Sequence, residues 1–245
     1  MKLYHGTSDR ALPSMLRDGI LCKATSNHAG NWSHSVQSAA NRVYMTDVYA
    51  PYFAFHAASK RDGDKAVLFE IDSDKLDQDL LLPDEDFLEQ ATRNVSVRGL
   101  RKGAGMRART TWFRDNATKW RSLWNDSLSH LGTCAHLGNI PTHAITRYAV
   151  VDPKVCIALW MEAADAMVVL ANHRFCSGKY AALTRLIFDN DLNAEELCNA
   201  MHFGAFPQVP VNDMAPQDIK AGLVERAQQL INVRNKEGAV YVHGC

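Results

Sequence analysis

Leu3-Tyr4-His5-Gly6-Thr7-Ser8 opens an ordered series of short elements whose reading decides the fold. Lys2–Tyr4 reads as a strand, with Gly6, Ser8 and Asp9 as turn or cap residues. A compact helix is expected next: Ser8 or Asp9 caps it, Pro13 sits in its first turn, Leu12, Met15 and Leu16 share a face, and Gly19 ends it. The polar stretch 22–41 reads as a loop. Val43–Thr46 is a short apolar strand, after which Asp47 is expected to cap a helix running to about Lys60. Ala66–Ile71 reads as a strand of good β-formers and Leu80–Leu82 as another, before the acidic turn Pro83–Asp86.

Residues 93–121 change character. They hold nine Lys or Arg against one acid, Asp115. Gly99, Gly103 and Gly105 loosen the first part, and Trp112, Phe113, Trp120 and Trp124 interleave aromatics. From Asn116 to about His130 the pattern is helical, and His136–Leu137 and Ala144–Val151 read as strands around the Ile140-Pro141 turn. Beyond Asp152-Pro153 strands nearly vanish. Residues 154–175, 177–190, 193–203 and 215–235 read as helices, with Asn193 as an N-cap ahead of Glu195 and Glu196. A boundary near 152 is therefore expected, with one domain over 1–152 and a helical one over 153–245.

The 245 residues carry a formal net charge of zero, so any electrostatic recognition must be local. No apolar run approaches the roughly 18 residues of a membrane span; Val155–Ala171 comes closest, and Glu162 and Asp165 interrupt it. The N-terminal residues lack a signal-peptide apolar region, which predicts a cytoplasmic protein without a membrane role. The cysteines at 22, 134, 156, 176, 198 and 245 form no C-x-x-C pair, so reduced thiols are expected rather than a disulfide framework or a metal site.

The series strand–His5-Gly6-Thr7–helix–Asp18-Gly19-Ile20–polar loop–Val43-Tyr44-Met45-Thr46–aromatic helix resembles the N-terminal half of the ADP-ribosyltransferase superfamily. Its flavour is that of the His-Tyr-Glu class, which includes poly-ADP-ribose polymerases and bacterial toxins. The likeness is specific over about residues 3–58, loose over 66–151, and absent beyond 152.

The resemblance implies an α+β domain, with two small packed sheets forming a cleft whose floor carries His5 and Tyr44, plus a C-terminal helical region. It implies NAD as co-substrate and no metal. The His5 side chain would bond the adenine-side ribose, the Gly6 backbone would pair with the nicotinamide amide, and the Thr7 hydroxyl would assist. The Tyr44 ring would pack on nicotinamide at the end of the strand that includes Thr46, with Tyr52 or Phe55 completing an aromatic sandwich. A flat, electron-poor pyridinium favours aromatic faces.

The reaction the resemblance implies is substitution at C1′ of the nicotinamide ribose, through a transition state with oxocarbenium character. A carboxylate normally stabilises that charge. In the family this acid lies shortly before a turn of the form Ile-Pro-x-x-Ala-Ile, which is present here as Ile140-Pro141-Thr142-His143-Ala144-Ile145. Gly132–Asn139 before it contains no acid, and the expected Glu falls at Ala135. Three explanations stand open: Ala replaces Glu at 135; another acid acts, Asp86 or Glu89; or the chain binds NAD or ADP-ribose without turnover.

The basic stretch points to the acceptor. Arg98, Arg101, Lys102, Arg107, Arg109 and Arg114, with their flanking cations, are suited to phosphates, and the aromatics to unpaired bases. Nucleic acid, RNA favoured, is the expected acceptor. Protein side chains, pyrophosphate binding and docking of an acidic inhibitor are the other readings of the run. A toxin or phage-defence effector is the expected role, which by its activity class would need an antitoxin or chaperone. An NAD-dependent RNA 2′-phosphotransferase and a non-catalytic NAD or ADP-ribose reader are the alternatives. H-x-H and H-E-x-x-H spacings are absent, as is a serine nucleophile elbow.

Overall fold

A computed structural model of the chain describes residues 1–26, 38–61, 63–155, 173–200 and 217–245. The chain is α+β. Seven strands form one sheet in the order β4-β5-β2-β1-β3-β6-β7. The strands are β1 (Lys2–Ser8), β2 (Arg42–Thr46), β3 (Ala66–Asp72), β4 (Leu81–Pro83), β5 (Thr133–Leu137), β6 (Ile145–Val151) and β7 (Val240–Gly244). Two separate packed sheets were the expectation. β3 accounts for part of the difference, because Ala66–Ile71 is buried at every position, as a strand covered on both faces must be.

The chain divides into two compact units built from interleaved segments. The first comprises Met1–Leu3, Pro13–Asp47 and Asp72–Ile145. It holds α1 (Leu12–Asp18) apart from its first residue, α2 (Lys23–Ser26), β2, β4, α4 (Glu85–Ala91), α5 (Met106–Asn116), α6 (Trp124–Leu131) and β5. β5 is central, pairing antiparallel with β2 on one side and β4 on the other. An apolar cluster of Leu82, Phe87, Leu88, Phe113, Ala117, Leu131 and Ala135 packs there, with Trp112 and Trp120 against it. Gly19, at φ +81°, closes α1 where a Cβ would meet the Ile140 carbonyl oxygen at 2.2 Å, and the Ile20–Ile140 bridge follows.

The second unit comprises Tyr4–Leu12, Val48–Ile71 and Thr146–Cys245. It contains α3 (Ala50–Ala58), β3 apart from Asp72, β6 apart from Ile145, α7 (His173–Phe188), α8 (Ala194–Cys198), α9 (Gln217–Arg234) and β7. Asn193 is the N-cap that the sequence predicts, and it closes a capping box with Glu196.

Three local expectations are corrected. β1 runs on through His5-Gly6-Thr7 to Ser8, so the expected turn is strand. Residues 23–26 of the expected loop are helical, while 27–37 lie outside the described residues. Asp47 does not cap α3, which starts later behind Tyr49 with Pro51 in its first turn. The sequence also missed β7, which pairs with β6 as an outer strand; Val240, Tyr241 and Val242 sit between glycines 238 and 244 and show too short a pattern to read alone. Much of the helix expected over 154–175, and the ends of those over 193–203 and 215–235, lie outside the described residues.

Cys22, Cys134 and Cys198 are buried and Cys245 is exposed, and none of the four is in a disulfide. Among the described residues no helix is long and apolar enough to cross a membrane.

Candidate functional site

In the first unit, side-chain alternation along β2 turns Arg42, Tyr44 and Thr46 to one face. The register sets Tyr44 directly opposite Ala135 of β5, and Leu82 of β4 opposite Ala135 on its other side. Directly opposed residues in antiparallel strands carry Cβ atoms about 5 Å apart. Tyr44 and the position at which the sequence resemblance expects an acid are therefore cross-strand neighbours.

Ala135 is fully buried and belongs to the apolar cluster with Leu82 and Phe113. The carboxylate that reaches Tyr44 comes from elsewhere. The Tyr44 hydroxyl donates to Glu85 Oε1 at 2.6 Å and accepts from the Ala39 N–H at 3.0 Å. Glu85 is held by the start of α4. Asp84 caps that helix by accepting from the Asp86 N–H at 2.9 Å, and its own N–H donates to Ser127 Oγ at 3.0 Å. Ser127 in turn donates to the Thr133 carbonyl at 2.7 Å, which ties α4 to α6 and β5.

Glu85 is 5% exposed. Burial, and then repulsion from Asp84, push its carboxyl up to about 7, against the pull of Tyr44 and Arg42. Burial, followed by the charges of Glu85 and Asp84, pushes the Tyr44 hydroxyl well above its ordinary value. Arg42 is equally buried, with Nη1 3.6 Å from Glu85 Oε2 and Nη2 donating to the Arg114 carbonyl. Its Nε and Nη1 and the Glu85 Oε2 have no hydrogen-bond partner among the described residues. Buried polar groups are normally paired, so this cluster holds unused hydrogen-bonding capacity.

The two acids favoured by the sequence stand differently. The Asp86 side chain is exposed. Glu89 is buried but committed, with Arg93 Nη2 at 2.9 Å and Arg109 Nε at 3.6 Å. Sequence reasoning missed Glu85, although a signal was present. Once Asp84 is the cap, Glu85 lies three residues before Leu88 and four before Glu89, on the helix face that turns inward.

In the second unit, His5 is half-buried on β1. Gly6 lacks a Cβ for a packing reason: one built there would meet the Ala50 carbonyl oxygen and the Ala54 nitrogen of α3, each at 2.5 Å. The close approach it allows is to α3. Tyr52 and Phe55, expected as stacking surfaces, are corrected to core aromatics, 4% and 2% exposed. The Tyr52 ring packs edge-on against Phe53 and Tyr180 and stacks on His56. α3 buries Ala50, Ala54 and Ala57 as well, so its aromatic positions are drawn inward with the rest of the helix. Thr7 and Thr46 are also buried.

The basic stretch is sorted by its contacts. Arg109 donates to the Thr92 carbonyl and hydroxyl and lies over the Phe113 ring, and Arg114 pairs with Asp115 at 3.0 Å. Of these two, expected on a nucleic-acid surface, Arg109 ties α5 to the end of α4, and Arg114 is paired with its neighbour on the same helix. Arg98, Arg101, Lys102 and Arg107 are exposed, and no hydrogen bond or ion pair engages their side chains among the described residues.

No family model and no curated protein matches the chain. Among solved structures, one named EcPltA is similar over 61% of this chain and 75% of its own, with 11% identity and a TM-score of 0.33. A likeness that low carries neither fold nor function across.

Proposed function

We propose that the chain transfers ADP-ribose from NAD to an acceptor, with nucleic acid the favoured acceptor. The observation that carries the reading is the cross-strand pairing of Tyr44 with Ala135. Two motif positions that the resemblance assigns to one reaction, 91 residues apart (135 − 44), are direct neighbours.

In this reading Tyr44 faces the cationic ring of the substrate, and Glu85 acts through Tyr44 as a positioning residue. A carboxylate accepting the phenol proton's hydrogen bond at 2.6 Å makes the ring face more negative, which stabilises positive charge beside it. The C1′–nitrogen bond breaks with its electron pair leaving on nicotinamide, an acceptor lone pair forms the new bond to C1′, and the acceptor proton passes to solvent. The role proposed is that of an intracellular toxin or defence effector, restrained by an antitoxin or chaperone.

The test is mass spectrometry of RNA, DNA and protein pools incubated with NAD. A gain of one ADP-ribose mass in one pool, reduced by both Tyr44→Phe and Glu85→Gln, is expected. No gain in any pool, with NAD hydrolysis also absent, sinks the reading. A second reading, a non-catalytic NAD or ADP-ribose reader, is favoured by the apolar surroundings of Ala135. Ligand binding without turnover selects it.

A further inference from the structure

A groove of about 780 Å³ opens along α5, lined by Met106, Arg107, Ala108, Thr111, Trp112 and Asp115 among others. Ala108, Thr111, Trp112 and Asp115 recur at three- and four-residue spacing, so they form one helix face. Trp112 is half-buried and stiffly held. Its edge meets the backbone near Gly99, where an added Cβ would lie 3.3 Å from the indole, and its ring stands edge-on to Phe113 and Trp120. Lys119 Nζ sits 5.7 Å from the ring centroid. The turns Val97–Leu100 and Arg101–Ala104 lead straight into the helix and bring Arg98, Arg101 and Lys102 before it.

The charges divide sharply. Of the nine cations in 93–121, Arg93, Arg109, Arg114, Lys119 and Arg121 have partners within the fold. The side chains of Arg98, Arg101, Lys102 and Arg107 are exposed with none among the described residues. Asp115, the acid of the groove, is neutralised by Arg114. An aromatic wall beside uncompensated cations matches a chain of phosphates bearing flat bases, because phosphates need positive charge and every base has a face to stack.

We infer that this groove docks a single-stranded polynucleotide, with phosphates on Arg98, Arg101, Lys102 and Arg107 and one base against Trp112. The inference deepens the acceptor side of the proposed transfer and rests on that reading for its purpose. Its test uses no NAD, so the two fail separately.

The probes are labelled oligouridylate and oligothymidylate of about 15 nucleotides, titrated with the full chain by fluorescence anisotropy between about 50 and 200 mM salt. Binding is expected. The triple variant Arg101→Gln/Lys102→Gln/Arg107→Gln should bind about tenfold more weakly or worse, and lower the salt slope by about 2, at roughly 0.7 per phosphate contact. Trp112→Ala should cost about tenfold. Trp112→Phe, which keeps a ring and the packing, should bind nearly as the parent does. The triple variant alters only exposed side chains, so its melting temperature should match the parent and a loss of affinity cannot be charged to unfolding. A preference for oligouridylate or oligothymidylate supports docking and says whether RNA or DNA is the source. Unchanged affinity in the triple variant overturns the inference. So does binding of polyglutamate in place of the oligonucleotides, which would assign the groove to an acidic protein.

Discussion

Two buried glutamates, one in each unit, meet an arginine in opposite ways. Glu70 of β3 is 4% exposed and fully served: Arg147 Nε and Nη2 donate to its Oε2 at 2.9 and 2.7 Å, and the Thr146 hydroxyl donates to its Oε1 at 2.8 Å. Arg147 also reaches Asp189 at 2.7 Å and lies over the Phe188 ring at 4.7 Å. Glu85 has one short bond, to Tyr44, an arginine at 3.6 Å and Asp84 repelling it. A buried charge with every lone pair satisfied braces a fold, whereas one held away from its counter-ion beside a like charge is costly. The fold keeps that costly arrangement next to the tyrosine that the sequence motif singles out, which is where functional groups with perturbed ionisation are expected.

The sharpest break of this contrast is Arg147→Ala. It strands the Glu70 carboxylate and should cost about 3 kcal/mol, the lower end of the range for a broken buried pair because Arg147 is itself partly exposed. Thermal unfolding should move down by roughly 10 °C in a chain of this size. A shift of only a degree or two would make Glu70 no brace at all. Next comes Ala135→Glu. A carboxylate there enters the apolar cluster, adds volume to a packed site and must either stay protonated or lie unpaired. The expected loss is about 2–3 kcal/mol, with no gain in ADP-ribose transfer. A rise in transfer with this change would return the catalytic acid to position 135.

Glu85→Gln tests the other side. The amide is isosteric with the carboxyl and its carbonyl still accepts from Tyr44, so stability should stay within about 1 kcal/mol. The turnover of ADP-ribose transfer should fall about 10²-fold, with KM little changed, since the lost interaction matters most when positive charge develops. A change confined to KM would make Glu85 a binding group.

The same contrast explains what the sequence could and could not disclose. β2, β3 and the α8 capping box follow from local pattern, because strand alternation, β-branched residues and an Asn-x-x-Glu spacing act over a few residues. Gly6 reads from the sequence as the place where a ligand approaches the backbone, but a single sequence does not say whether backbone or ligand fills the space that its missing Cβ leaves, and here the α3 backbone fills it. Tyr52 and Phe55 read equally well as stacking partners or core, and burial decided for core. Glu85 required knowing that Asp84 is the cap, since one residue of helix phase exchanges Glu85 for Asp86 on the inward face. The division of the basic stretch into Arg109 and Arg114, whose side chains have partners, and Arg101, Lys102 and Arg107, whose side chains have none among the described residues, rests on contacts with Thr92, Phe113 and Asp115 that no periodicity marks.

The smallest expected effect is a pH dependence whose sign separates Glu85 from ordinary carboxylates. Its ordinary value is near 4.5 and the folded value is about 7, so between these the folded state binds more protons than the unfolded chain. Its contribution to stability is therefore full below about 4.5 and is lost as the pH rises through 7. Asp84, raised chiefly by burial, and Asp86, raised to about 7 chiefly by the desolvation of its carboxyl, pull in the same direction. The melting temperature should fall between pH 5 and 8 by about 5 °C, and Glu85→Gln should remove the share of that fall which Glu85 carries. Transfer should run the other way, rising toward pH 8 as the carboxylate forms behind Tyr44, and this rise too should vanish in Glu85→Gln. Opposed slopes that disappear together would tie both to one group. A melting curve that rises with pH across the same window would mean that Glu85 is already ionised near its ordinary value, and that Arg42 closes on it in solution as Arg147 closes on Glu70.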